Sequence, residues 1–175
     1  MKIRIATISD AKSIAEIHTI SWRETYQNAL TEQYLRDVVP KDRELVWRER
    51  LENPKHNQRV FVAVCDGMVV GFICLLAGEN IDMGSFLDNL HVLKSHQSKG
   101  IGKALLKAGA RWCLQQVPTK GLCLLVIQEN SQAQKFYKQL GATNAQAGVW
   151  NGPDGSLVPT YWFVWSDIKD LLDKD

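Results

Sequence analysis

Apolar and polar residues alternate in IRIATI (3–8), and the alternation predicts a first strand. The period then lengthens. In SDAKSIAEIHTISWRETY (9–26), Ile14, Ile17, His18 and Ser21 fall on one helical face, with Ser9 or Asp10 placed to cap it. TEQYLRDVV (31–39) and RELVWRERL (43–51) read as one or two further helices, broken near Pro40. RVFVAVCDGMVVGFICLLA (59–77) is a hairpin signal, two β-rich runs around Asp66-Gly67, the dipeptide a tight type I′ turn prefers.

SFLDNLHVL (85–93) continues as a third strand of this group, and a helix runs from about Gly100 to Gln116. LCLLVI (122–127) is continuously apolar, the mark of a strand covered on both faces. In SQAQKFYKQLG (131–141), Ala133, Phe136, Tyr137 and Leu140 share a helical face and Gly141 ends it. GVW (148–150) and VPTYWFVW (158–165) close the chain as a strand pair around NGPDGS. The order β-α-α-β-β-β-α-β-α-β-β predicts one α/β (α+β) domain spanning 1–175. Its mixed, mostly antiparallel sheet has about seven strands flanked by about four helices.

Bulk composition narrows the class. A chain of 175 residues, 45% apolar and 23% charged, is an ordinary globular domain. A net charge of +2 gives no field for nucleic acid. The polar, alternating N-terminus is not expected to be a signal peptide, and no apolar run is long enough for a membrane span, so a cytoplasmic location is expected. Cys65, Cys74, Cys113 and Cys123 form no C-x-x-C pair and sit in apolar surroundings, which predicts buried thiols. His18, His56 and His96 have no metal-like spacing, and no metal is expected.

The stretch HQSKGIGKALLKAGARW (96–112) places glycines and lysines where a strand gives way to a helix. Unpaired amides and the positive end of a helix dipole suit an anion such as pyrophosphate. A Walker A loop would need Gly at Gln97 and Ser or Thr at Ala104; a dinucleotide fingerprint would need a small residue at Leu105. Neither fits. Gln97-Ser98-Lys99-Gly100-Ile101-Gly102 does match Q/R-x-x-G-x-G/A, and NSQAQKFYKQLGA (130–142) matches N-x-x-A-x-x-F-Y-x-x-x-G-F/A. On these two motifs in series the chain resembles the GNAT superfamily of acyl-CoA-dependent N-acyltransferases.

The resemblance implies a role for each matching residue. Acetyl-CoA is the implied co-substrate, with its pyrophosphate on the amides of Gln97, Ser98, Lys99, Gly100, Ile101, Gly102 and Lys103. Its pantetheine arm is expected to pair with Leu90, His91 and Val92 as an added strand that splays from 122–127. Asn130 is implied to bind that arm, although it also stands where a helix cap belongs. Tyr137 is the implied general acid beside the thioester sulfur, and the Val92 amide the implied oxyanion donor. For the base, Asp88 and His91 both lie on the strand beside the cleft. Simple alternation would put Asp88 with Leu90 on one face, and His91 with Asn89 on the other. Family members carry glutamate near positions occupied here by Phe86 and Asp88, which points to Asp88 or to a base acting through water.

Trp22, Tyr26 and Trp47 are expected in the core or the cleft wall. Trp150, Trp162 and Trp165 lie where family members shape the substrate site or a homodimer contact. The implied activity is direct acetyl transfer to a primary amine, on a small molecule or a peptide. The rival from another class is a non-catalytic acyl-CoA sensor on the same fold, which the presence of both Asn130 and Tyr137 disfavours.

Overall fold

The computed structural model describes residues 1–117 and 121–173. Seven strands form one sheet: β1 (Lys2–Ile5), β2 (Gln58–Cys65), β3 (Met68–Asn80), β4 (Gly84–Val92), β5 (Leu122–Ile127), β6 (Thr143–Asn151) and β7 (Leu157–Trp165). Their spatial order is β1-β2-β3-β4-β5-β7-β6, and every pairing is antiparallel except β4 with β5. The helices are α1 (Ala11–Thr25), α2 (Val39–Glu52), α3 (Ile101–Gln116), α4 (Ser131–Gln139) and α5 (Ile168–Leu172).

The sheet separates two cores. Beneath α3 and α5, Leu75, Leu105, Leu122, Phe163 and Ile168 are fully buried. On the opposite face Ile14, Trp47, Val62 and Phe72 are fully buried under α1 and α2. Each such side chain stabilises the fold by about 1.5–3 kcal/mol relative to leaving it exposed. LCLLVI is covered on both faces as its composition requires. Asp66 and Gly67 both take positive φ (49° and 79°), the geometry of the type I′ hairpin.

Three local expectations differ from the structure. Pro40 does not break a helix. It sits in the first turn of α2, fed by a wide turn over Tyr34–Val38, and Arg36 O, which its missing N–H cannot serve, accepts the Arg23 guanidinium instead (2.9 Å). Asp10 turns back instead of capping α1: Oδ2 accepts the Thr7 amide (2.8 Å), and Arg4 donates to both carboxylate oxygens (2.7 and 2.8 Å). The short α5 was not anticipated. Asp167 caps it by accepting the Lys169 amide (3.0 Å), and Leu171, like Ile168, is fully buried.

The feature that positions the site is a split between β4 and β5. Among the described residues they pair only at Ser85–Leu122 and Phe86–Cys123. In the β3–β4 ladder Cys74 faces Asn89 and Leu75 faces Leu87, so Asp88 is an extra, bulged residue. A bulge bends and twists its strand, and β4 leaves β5 just past Phe86. The joined end is held tightly. Ser85 N–H donates to Gly121 O (3.0 Å), and Gly84, at φ +93°, approaches so closely that a Cβ would lie 2.2 Å from that oxygen.

Gly84→Ala should therefore cost roughly 2–5 kcal/mol, from left-handed backbone strain plus overpacking. Gly67→Ala, also at positive φ but with open space around it, should cost only about 1–2 kcal/mol. Urea unfolding of the two variants tests the difference; equal costs would show that the close contact at Gly84 does not hold the strand junction.

Candidate active site

A cleft of about 1300 Å³ lies at the gap between β4 and β5. Its walls come from both faces of the sheet: Gly100, Gly102 and Tyr137 from the α3–α4 side, Ser21, Tyr26 and Arg50 from the α1–α2 side.

On the first side a tight turn with two left-handed residues leads into α3. Ser98 and Gly100 take positive φ (59° and 77°), which swings the chain into the helix. A Cβ on Gly100 would meet nothing within 4 Å, so this glycine serves the backbone angle. At Gly102 a Cβ would make only an ordinary contact with the Phe136 ring, at 3.4 Å. The Ala104 amide closes on Gly100 O (3.0 Å), leaving the amides of Ile101, Gly102 and Lys103 at the positive end of the helix dipole. Lys103 and Lys94 line the cleft, while Lys99 Nζ donates to Ser95 O (3.0 Å). The Gln97 amide braces the turn, donating from Nε2 to Val92 O (3.0 Å).

β4 offers a free edge beside this turn. Leu93 N–H donates to Val70 O (2.9 Å). Alternation along the ladder then directs the main-chain groups of His91 toward β3, and those of Leu90 and Val92 into the gap. Asn130 does cap α4, its Oδ1 accepting the Ala133 amide (3.0 Å); its Nδ2 has no partner among the described residues. Tyr137 is buried at the cleft, packed on Phe136 and Trp165 with ring centroids 5.2 and 6.0 Å away. Burial, and then the nearby Tyr26, raises its phenol well above the ordinary range, so it keeps its proton.

On the second side the bulge overturns the expected alternation. Asp88 and His91 face the same way, toward α1 and α2, while Leu90 and Val92 pack on the opposite core. Arg50 of α2 pairs with Asp88, and Asn89 Nδ2 donates to the same oxygen (2.6 Å). Burial and the Asp88 charge push the Tyr26 hydroxyl up to about 12. His91 Nδ1 lies 2.6 Å from Ser21 Oγ, and its ring stands 4.7 Å from that of His18. Trp47 Nε1 donates to His18 Nδ1 (2.9 Å), so His18 carries its proton on Nε2, which is buried with no partner among the described residues. Sequence reasoning missed Arg50, Arg43 and the contact of Ser21 with His91. Charged residues on a helical surface and a lone serine carry no local signal of a cleft.

Of the tryptophans, Trp22 and Trp150 reach the cleft, Trp47 lies in the core, and Trp165 is buried against α4. Cys74, Cys113 and Cys123 are buried and Cys65 is partly so; all are free thiols. Among the described residues, no three His, Cys, Asp or Glu side chains are grouped to hold a metal ion, and no helix is long and apolar enough to cross a membrane.

A glycine turn at a helix start and an edge of β4 line one side of this cleft, and polar and aromatic groups line the other. The chain belongs to the acetyltransferase (GNAT) family, whose model matches residues 12–142. It is 32% identical over 131 residues to the uncharacterized N-acetyltransferase YuaI of Bacillus subtilis (strain 168), covering 73% of this chain and 72% of that one. It is 28% identical over 171 residues to the peptidyl-lysine N-acetyltransferase YiaC of Escherichia coli (strain K12), covering 97% and 99%. Among solved structures it resembles yncA, a putative acetyltransferase from Salmonella typhimurium with its cofactor acetyl-CoA. The TM-score is 0.69 at 19% identity, over 100% of this chain and 95% of that one. Acetyl transfer with acetyl-CoA as the donor is the chemistry of this family.

The buried imidazoles give the site a pH signature. Burial, with the Arg43 cation adding to it, pushes His91 from 6.5 down to about 4. His18 lies well below its ordinary value, from burial first and then from His91, Arg43 and Arg50. Both are neutral in the fold at pH 7. The unfolded chain takes up a proton at position 91 near pH 6.5 and the folded chain does not until about 4, so between those values stability falls as pH falls, with His18 acting in the same direction. Urea unfolding across that window should show the decline, and His91→Asn should flatten it. A wild-type stability that stays level from pH 6.5 to pH 4.5 contradicts the assignment.

Proposed function

We propose that the protein transfers an acetyl group from acetyl-CoA directly to a primary amine while both substrates are bound. The observation that carries this reading is the opening through the sheet, with donor cradle and acceptor pocket on opposite faces meeting at the gap. The amides from Ser98 to Lys103 hold the pyrophosphate, while the Gln97 N–H, expected among them, donates to Lys94 O (3.3 Å). The pantetheine arm lies along Leu90, His91 and Val92 as an added strand, with Asn130 Nδ2 donating to it. No cysteine lines the cleft among the described residues, which favours direct transfer over an acyl-enzyme.

The amine nitrogen attacks the thioester carbon, a C–N bond forms and the C–S bond breaks. The Val92 N–H faces the oxygen that gains charge. The sulfur leaves with the electron pair and takes the phenol proton of Tyr137, and the amine proton goes to Asp88, directly or through water. Arg50 and Asn89 hold the Asp88 carboxylate in place for that role. The similarity to a peptidyl-lysine N-acetyltransferase supports a lysine side chain as the first acceptor to try, followed by small amines and peptide N-termini.

Acetyl-CoA at a hundredfold excess over its dissociation constant should stabilise the protein by about 2.7 kcal/mol. Gly100→Asp should remove most of that shift, because it sets a carboxylate in the open space beside the cradle. A folded Gly100→Asp protein with the full shift would refute the cradle.

Tyr137→Phe keeps the ring and its packing and loses only the O–H. Turnover with a working amine should fall by roughly 10²–10⁴-fold, with little change in acetyl-CoA affinity. Asp88→Asn should also lower turnover and alter the acidic limb of the pH–rate profile. Wild-type rates in Tyr137→Phe, with chemistry rate-limiting, would return Tyr137 to a packing role. Tight acetyl-CoA binding with no amine acetylated would favour a sensor.

A further inference from the structure

The acceptor side of the cleft is bounded by Trp22, Tyr26 and Trp150, whose ring centroids stand 5.2 to 5.9 Å apart. Trp22 lies on α1 and Tyr26 directly after it; Trp150 lies on β6, far along the chain. A hydrophobic cluster that includes Trp22, Leu30 and Val158 joins the two segments, and a polar tie between them stands outside the cleft. Asp154, in the β6–β7 turn, accepts the Thr31 amide on Oδ2 (2.7 Å) and the Ser156 amide on Oδ1 (3.0 Å). Gly152 N–H donates to Ser156 O (2.7 Å), which closes that turn. Leu30 fits against Gly152 so closely that a Cβ there would lie 2.7 Å from Leu30 Cδ2. The Leu30 and Ala29 amides both donate to Tyr26 O (2.9 and 3.0 Å), so the tie at Thr31 is passed back to Tyr26 through one tight turn.

We propose that Asp154 is a positioning residue for the acceptor. By latching the loop after α1 to the β6–β7 turn, it fixes an aromatic wall against which the carbon chain of the amine packs. The inference rests on the reading of this cleft as an amine site. Asp154 itself touches no substrate, and its effect is on selectivity for the acceptor.

The test is amine binding to the protein loaded with unacetylated CoA, followed by NMR, with methylamine, ethylamine, propylamine and butylamine. These amines have nearly the same basicity, so differences report the carbon chain. An apolar wall should tighten binding about fourfold per added methylene, the equivalent of about 0.8 kcal/mol. In Asp154→Ala the gain should fall below about twofold per methylene, and exchange of the Thr31 amide should speed up. Gly152→Ala, which wedges Leu30 and Asp154 apart, should do the same without altering the carboxylate. Asp154→Asn, which keeps an oxygen for the Thr31 amide, should retain most of the gain. An unchanged gain in both Asp154→Ala and Gly152→Ala, or no gain in the wild type, overturns the proposal. Graded amine binding without acetylation would remove the transferase reading and leave the wall standing.

Discussion

The separation of β4 from β5 is the constraint on which the rest of the site depends. A continuous sheet satisfies its own backbone groups and offers a ligand none. Here one extra residue, Asp88, breaks the β3–β4 register and turns β4 aside, so Leu90 and the Val92 N–H face the gap with no strand beside them among the described residues, while Val92 O takes the Gln97 side chain. The same bulge rotates Asp88 onto the face that carries His91, bringing it to Arg50. One local irregularity thus leaves open the path between the faces and places a carboxylate beside it.

The two sides of the opening differ in how they treat charge. The α3 turn leaves amides unpaired at a positive helix end, with Lys94 and Lys103 lining the cleft nearby. The opposite side compensates its charges within the fold: Arg50 by Asp88, Arg43 by Asp42. Its imidazoles are kept neutral by burial and by those same arginines. Lysines and helix amides therefore face the cleft from the first side, and compensated charges and neutral imidazoles from the second.

The sequence by itself determined the order of elements, the hairpin at Asp66-Gly67, the doubly covered β5 and the two motifs around Gly100 and Tyr137. Those depend on neighbours a few residues apart, through side-chain period, turn geometry and helix caps. Pro40 misled because the rule against proline applies to helix interiors, and this one begins a helix. Only the tertiary structure decided the pairing of Asp88 with Arg50, the contact of Ser21 with His91 and the meeting of Trp22, Tyr26 and Trp150. A bulge has no composition of its own, and it shifts by one residue which side chains share a face. Alternation read along β4 therefore fails at Asp88, and contacts between distant segments form only once the sheet has set their distance.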